Sequence, residues 1–312
     1  MLKYDREDAI LFLVFNRIET TSKVFQAIKE AAPKRLYIAA DGPRNAEEFE
    51  KCRRVKEIVA NVTWDCEIKT LFREDNLGCR AAVSGGINWF FGHEEQGIIL
   101  EDDCLPSSSF FGFCSVLLEK YKYDNRIGHI GGSNFQNGIE RGRGSYYFSR
   151  LTHVWGWASW RRVWNNYDVN MGTFPHFAES DLQNLGSHAP FKEIWYKNLK
   201  RTFDGEINTW DYQYSYSNII NNYLGVIPNQ NFIKNIGFGE GATHTTENHP
   251  FANLETKDMD SIVHPDFFIP EVEADLYTQR IEYYQPPIKK KGFLSRTWKQ
   301  LKDRLSASIV AS

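Results

Sequence analysis

Short unbroken apolar runs alternate with amphipathic stretches along the first third of the chain. Ala9-Ile10-Leu11-Phe12-Leu13-Val14-Phe15 is continuous in apolar residues and predicts a parallel-sheet strand covered on both faces. Thr20 or Thr21 then caps a predicted helix through Lys29, with Val24, Phe25 and Ile28 on one side. Leu36 to Ala40 predicts a second strand, stopped by the turn signal Asp41-Gly42-Pro43. A helix over Ala46 to Ala60, a strand over Cys66 to Phe72 and a helix over Cys79 to Phe91 follow, and a short strand, Gly97 to Leu100, runs into Glu101-Asp102-Asp103. Strand and helix alternating at roughly 30-residue spacing predict a doubly wound parallel sheet over residues 1–125.

Beyond that point the pattern loosens. Ile127 to Gly132, Tyr146 to Ser149 and Gly225 to Ile227 read as isolated strands between aromatic and polar stretches. The expected layout is a nucleotide-binding half (1–125), an acceptor-binding half (126–273) on the same sheet, and an extension (274–312) in which Pro286-Pro287 precedes a basic tail.

Composition narrows the class. With 312 residues, 42% hydrophobic and 25% charged, the chain is an ordinary globular protein, not a disulfide-stapled miniprotein, a disordered chain or a fibrous one. Aromatic residues make up 15%, and six of the nine tryptophans lie between Trp155 and Trp210, as core filler or as stacking platforms. The net charge of -3 offers no general attraction to nucleic acid. From Pro286 on, seven bases (Lys289, Lys290, Lys291, Arg296, Lys299, Lys302, Arg304) face one acid, Asp303, so the tail carries +6 and the rest -9. Leu294, Trp298, Leu301, Leu305 and Ile309 recur at helical spacing opposite those bases, which suits an anionic membrane surface, or packing on the domain or a partner. Five cysteines without a CxxC, all within the first 114 residues, fit a reduced compartment. Asp5, Arg6, Glu7 and Asp8 before the first apolar run exclude reading that run as a signal peptide or membrane span.

The candidate chemistry begins at strand ends. Ligands of open α/β sheets bind beyond the carboxyl ends of the strands, where Glu101-Asp102-Asp103, Asp41 and Arg17 are all expected. Carboxylates there suit a hard divalent cation bridging to a diphosphate. Asp41 either caps backbone amides or accepts a hydrogen bond from a base or ribose, and Arg17 can pair with a phosphate. In Thr152 to Trp164, four tryptophans (155, 157, 160, 164) form either an aromatic core or a ligand-facing loop around Gly156, with Trp160 and Trp164 expected on one helical face. In Glu206 to Gln213, Thr209 or Asp211 opens a helix through Ile220, and Asp211 is also a candidate general base with Glu206 as rival. Asn235 to Thr245 carries three glycines and His244 and reads as a surface loop, or as one ordering over a bound diphosphate.

Together, the strand ending in Asn16-Arg17, the strand ending in Asp41, Asn76-Leu77-Gly78 leading into a helix, and Ile98-Ile99-Leu100-Glu101-Asp102-Asp103-Cys104-Leu105-Pro106 followed by Phe110-Phe111 resemble the GT-A glycosyltransferases. Within them the chain is most similar to the N-acetylglucosaminyltransferase I type, with its Glu-Asp-Asp motif, over roughly residues 8–245. The resemblance implies a GT-A α/β fold and an inverting, metal-dependent transfer from a UDP-sugar, with GlcNAc as first guess, to a glycan or lipid-linked glycan. It implies Mn2+ or Mg2+ at Asp103, with His244 as a further ligand. The donor would be contacted by Glu101, Asp102, Asp41, Arg17, Arg80, Gly156 and Trp157, and Asp211 would be the base. The expected setting is the cytoplasmic face of a membrane, in lipopolysaccharide or capsule synthesis. A sugar-nucleotide nucleotidyltransferase is the alternative enzyme, although Phe15 to Thr20 has no glycine-rich loop. A non-catalytic carbohydrate-binding protein of the same fold is the alternative class.

Overall fold

Six consecutive residues with no polar side chain cannot lie at a sheet edge in water, and β1 (Ala9–Val14) is buried along its whole length. The fold is that of a computed structural model, described over residues 2–185, 189–238 and 251–283. In chain order, β1 is followed by α1 (Ile18–Ala31), β2 (Arg35–Ala40), α2 (Ala46–Val59), β3 (Glu67–Phe72), α3 (Gly78–His93) and β4 (Gln96–Glu101). Next come β5 (Cys104–Pro106), α4 (Ser108–Lys120), β6 (Ile127–Gly131), β7 (Tyr146–Ser149), β8 (Trp157–Trp160) and the single turn α5 (Arg161–Trp164). The chain then forms α6 (Ala189–Phe203), α7 (Asp211–Ile220), β9 (Leu224–Pro228), β10 (Ile233–Asn235) and α8 (Val272–Tyr283).

Eight strands form one mixed sheet in the order β3-β2-β1-β4-β8-β6-β9-β7. The β3-β2-β1-β4 half is parallel, as the sequence pattern requires, and β8 enters antiparallel between β4 and β6. Alternate side chains of β1 feed two cores, because a strand's side chains point to opposite faces. Ile10, Phe12 and Val14 pack with residues of α1, α2 and α4. Ala9, Leu11 and Leu13 pack with α3 residues and with Trp157, Trp164, Trp210 and Tyr214. A mixed sheet flanked by helices on both faces is the expected fold class.

Several local expectations need correction. α1 begins at Ile18 with no side-chain cap, and the Thr21 hydroxyl donates back to the Arg17 carbonyl inside the helix. Trp160 ends a strand while Trp164 ends α5, so the two do not share a helical face. α4 was not legible as a helix because it is buried on nearly every side, which erases amphipathic periodicity. The segment from Ala274 is part of the packed body up to Tyr283: Ala274 lies in a core with Tyr147 and Ile227, and buried Asp275 accepts from the Ser149 hydroxyl at 2.5 Å and the Arg150 amide at 2.9 Å. The basic amphipathic segment beyond it lies outside the described residues. Among the described residues no helix is long and apolar enough to cross a membrane.

Candidate active site

The register of the parallel half sets the site. Leu13 pairs with Glu101 and Val14 with Ala40, so the carboxyl ends of β1, β2 and β4 are level. This brings the Arg17 loop, Asp41 and Glu101-Asp102-Asp103 to one edge. Because β8 runs antiparallel with Trp157 opposite Ile99, the residues entering it, Val154 to Gly156, emerge at that same edge. The N-terminus of α7 brings Trp210 and Asp211 to the same opening. The result is a cleft of ≈ 360 Å³ whose walls include Arg17, Asp41, all three acids of the triplet, Trp155, Trp210 and Asp211.

The three acids meet different partners. Asp102 accepts the Phe15 amide at 3.1 Å, and Asp103 accepts from the Arg17 guanidinium at 2.5 Å, with the same nitrogen 3.8 Å from Asp102. Burial, then the neighbouring Asp103, pushes the Asp102 carboxyl up to about 7, against the pull of Arg17 and the Phe15 amide. The Glu101 carboxyl is also held well above its ordinary range by burial and by repulsion from Asp103, Asp102 and Asp211. Cys79 projects among these charges. Burial, then Glu101, Asp211 and Asp41, pushes its thiol up to about 12, which leaves it un-ionised at neutral pH and a poor nucleophile.

Asp41, expected to receive a base or cap a turn, has its lone pairs occupied by protein. Its carboxylate accepts from the Gly42 and Leu77 amides at 3.0 Å, the Gly78 amide at 3.1 Å and the Asn76 side chain at 3.0 Å. It therefore ties the loop after β2 to the start of α3, the capping role. At Gly42 the backbone of Glu74 and Asp75 comes so close that a Cβ would lie 2.4 Å from it. Asp211 stands at the first position of α7, where the helix dipole favours a carboxylate. One oxygen accepts from the Thr209 hydroxyl and from the Tyr212 amide at 2.8 Å.

Three other expected donor contacts are placed differently. The Arg80 side chain donates to the Val169 carbonyl and does not line the cleft. Trp157 is fully buried, stacked against Trp210 at 5.8 Å and beside His129, so it supports the cleft wall from behind instead of facing a ligand. Gly156 has φ +63°, and a Cβ there would sit 2.5 Å from Ile233, so its glycine character serves packing. His244 lies outside the described residues. Glu206 pairs with Arg201 on the surface at 2.9 Å, which leaves Asp211 as the acid of that segment in the cleft.

The structure also adds residues. Trp155 and Trp210 line the cleft, as do Asn76, Arg73, Arg44 and Asn235. Gly237 lets its backbone lie against the acids: a Cβ there would sit 2.4 Å from the Asp103 carboxylate and 2.8 Å from the Arg17 guanidinium. Its only sequence signal was its place in the glycine-rich stretch. Among the described residues, no group of three or more His, Cys, Asp or Glu side chains is arranged to hold a metal ion. The cleft nevertheless fits a hard cation by donor chemistry: Glu101, Asp102 and Asp103 stand together with Arg17 as the base paired to them, and their mutual repulsion is relieved by added positive charge. A divalent ion there would take its remaining oxygens from a ligand.

No protein-family model matches the chain, and no curated protein matches it. Among solved structures, the chain is similar to a UDP-glucose pyrophosphorylase complexed with UDP-glucose (8% identity, 51% of this chain and 78% of that one, TM-score 0.31). Another is an apo-UDP-glucose pyrophosphorylase (9% identity, 73% and 93%, TM-score 0.34). A third is a 4-diphosphocytidyl-2C-methyl-D-erythritol synthase from Anaerococcus prevotii (9%, 52% and 76%, TM-score 0.33). At such TM-scores function must be read from the cleft's own residues.

Proposed function

We propose that the cleft binds a nucleoside-diphosphate sugar, UDP-N-acetylglucosamine being the first candidate, and transfers the sugar with inversion to a hydroxyl of a glycan or lipid-linked glycan acceptor. The observation that carries this reading is the meeting, in one cleft, of the acidic strand end Glu101-Asp102-Asp103 and the helix-initiating Asp211, with Trp155 and Trp210 on its walls. The first group suits the diphosphate side of a donor and the second the acceptor side. Asp211 takes the proton of the acceptor hydroxyl, the acceptor oxygen forms its bond to the anomeric carbon, and the bond from that carbon to the diphosphate breaks with its electrons leaving on UDP. Asp103 would hold Mn2+ or Mg2+, which when bound would offset the charge of the departing diphosphate, and Glu101 and Asp102 would orient the ribose or the sugar. Trp155, half-buried at the cleft, offers an apolar face for a sugar ring, and the buried Trp210 backs the wall near Asp211. Attachment of the basic segment 289–304 to the cytoplasmic face of an anionic membrane would bring a lipid-linked acceptor of polysaccharide or lipopolysaccharide synthesis within reach.

Nucleotidyl transfer, in which a nucleoside triphosphate and a sugar phosphate yield a nucleotide sugar and pyrophosphate, is the second reading. The names of the pyrophosphorylases among the similar structures favour it. The short turn after β1 and the first residues of α1, Phe15 to Thr20, have no glycine and one base, a poor triphosphate cradle, which weighs for glycosyl transfer. The two are separated by the product. The protein is incubated with Mn2+ and a panel of UDP-sugars and UDP release is followed, in parallel with nucleoside triphosphates plus sugar 1-phosphates and pyrophosphate release. UDP release that Asp211→Asn lowers by about 10²–10³-fold without weakening UDP binding is expected. Pyrophosphate release without UDP release would replace this reading by the second.

A further inference from the structure

Arg17 holds the charge position that a cation would take. It follows β1 at the N-cap of α1, where its side chain caps nothing, and its guanidinium turns to the Asp103 carboxylate at 2.5 Å. That nitrogen is also 3.8 Å from Asp102, and the Arg17 side chain is only 25% exposed. The Gly237 backbone packs against both members of the pair, so closely that a Cβ would meet each of them. Two positive groups at one carboxylate repel each other, and the packed Gly237 segment leaves the guanidinium little room beside a second cation. A cation arriving at Asp103 therefore competes with Arg17 for the carboxylate.

We propose that Arg17 is a resident counter-ion of Asp103 that a divalent cation displaces, and that the released guanidinium turns to the diphosphate arriving with the cation. The inference rests on the nucleotide-sugar reading of the cleft. It assigns Arg17 to the coupling between the two ligands. Without nucleotide, a cation must draw Arg17 out of a partly buried ion pair and leave it only the more distant Asp102. With a diphosphate present, the guanidinium exchanges one anion for another. Cation and nucleotide then strengthen each other's binding, each by the same factor.

The test measures binding without turnover. Free Mn2+ is counted by its electron paramagnetic resonance signal, with and without UDP, for the wild type, Arg17→Met and Arg17→Lys. Wild type is expected to bind Mn2+ weakly alone and about tenfold or more tighter with UDP. Arg17→Met is expected to bind Mn2+ alone about tenfold tighter than wild type, with the gain from UDP reduced. Arg17→Lys, which keeps a charge and guards against a folding defect in the methionine variant, should fall between them. If folded Arg17→Met binds Mn2+ alone no tighter than wild type, the counter-ion role is overturned while the cleft's function stands on the wild-type result. If wild type binds neither UDP nor Mn2+ under any of these conditions, both fall.

Discussion

Substituting Asp41 separates a structural carboxylate from a ligand-binding one. The side chain is buried and accepts from the Gly42, Leu77 and Gly78 amides and from Asn76, at 3.0 to 3.1 Å. Asp41→Ala leaves three backbone amides at a tight crossing without their acceptor, although Asn76 keeps its bond to the Gly42 carbonyl at 2.8 Å. At roughly 1–1.5 kcal/mol for each orphaned donor, the loss comes to about 3–5 kcal/mol, a large part of the stability of an ordinary domain. For a chain of 312 residues this corresponds to a drop of about 5–8 °C in melting temperature. Asp41→Asn keeps one acceptor oxygen but turns an NH2 toward the amides, and should lose about half as much. Urea unfolding gives the stability change, and calorimetric titration with UDP gives the affinity. A clamp predicts that stability falls while UDP affinity of the folded Asp41→Asn protein changes by less than about tenfold. The reverse result, stability within about 1 kcal/mol of wild type and UDP binding abolished, would show that the carboxylate is free to read a ligand and refute the saturation argument.

Gly97→Ala should cost about 3 kcal/mol or more in denaturant unfolding, because its Cβ would fall 2.3 Å from Phe90 and 2.7 Å from the Ala9 carbonyl in the centre of the sheet; a loss below about 1 kcal/mol would mean that the β1–β4 pairing is looser than described. His129 and His153 are both pushed down to about 3, His129 by burial and then by His153, and His153 by burial. The unfolded chain takes up protons near pH 6.5 that the native rings refuse, so each ring withdraws about 1.4 kcal/mol of stability per pH unit below that point. Imidazole NMR shifts should stay those of neutral rings to about pH 4, and titration of either ring near 6.5 would contradict their burial. Asp102 works with the opposite sign: its folded-state carboxyl is raised to about 7, so its ionisation costs stability above that pH and the cost disappears as pH falls toward the unfolded value near 3.9. Asp102→Asn should therefore stabilise the ligand-free protein at pH 8 while weakening Mn2+-dependent UDP binding; no gain in urea unfolding would show that Arg17 already offsets the Asp102 carboxylate.

The parallel half of the sheet was legible because β1, β2 and β4 are buried on both faces and leave unbroken apolar runs between turn signals. That half also fixes where Arg17, Asp41 and the acidic triplet lie, since all of them follow strand ends. The tryptophan-rich segment was less legible because its fourfold spacing at Trp160 and Trp164 fits a helix. Pairing with β4 and β6 overrides that local pattern and makes Trp157 to Trp160 a strand. A strand there reverses the assignments within the cluster. Trp157 points into the core under the cleft, and Trp155, two residues earlier, lies on the cleft wall. Sequence carries residue type and spacing, but this distinction depends on a partner strand more than 50 residues away.

The acids of the cleft show the same dependence more sharply. Each was visible as an aspartate or glutamate near a predicted strand or helix end, and none could be told from the others by that position alone. What separates them is what already fills their oxygens. Asp41 is saturated by amides of its own loop and is left little to offer a ligand. Asp102 is held by one amide, and its charge is opposed by burial. Asp211 uses one oxygen on its own helix start, and no side chain or amide described in the structure takes up the other. Asp103 is engaged by the Arg17 side chain and by no backbone amide described in the structure. A carboxylate bound by rigid backbone serves the fold, and one bound by a long side chain can change partners. By that criterion Asp41 belongs to the fold, and the proposed roles fall to acids from both halves of the chain, Glu101 and Asp103 after β4 and Asp211 at the start of α7.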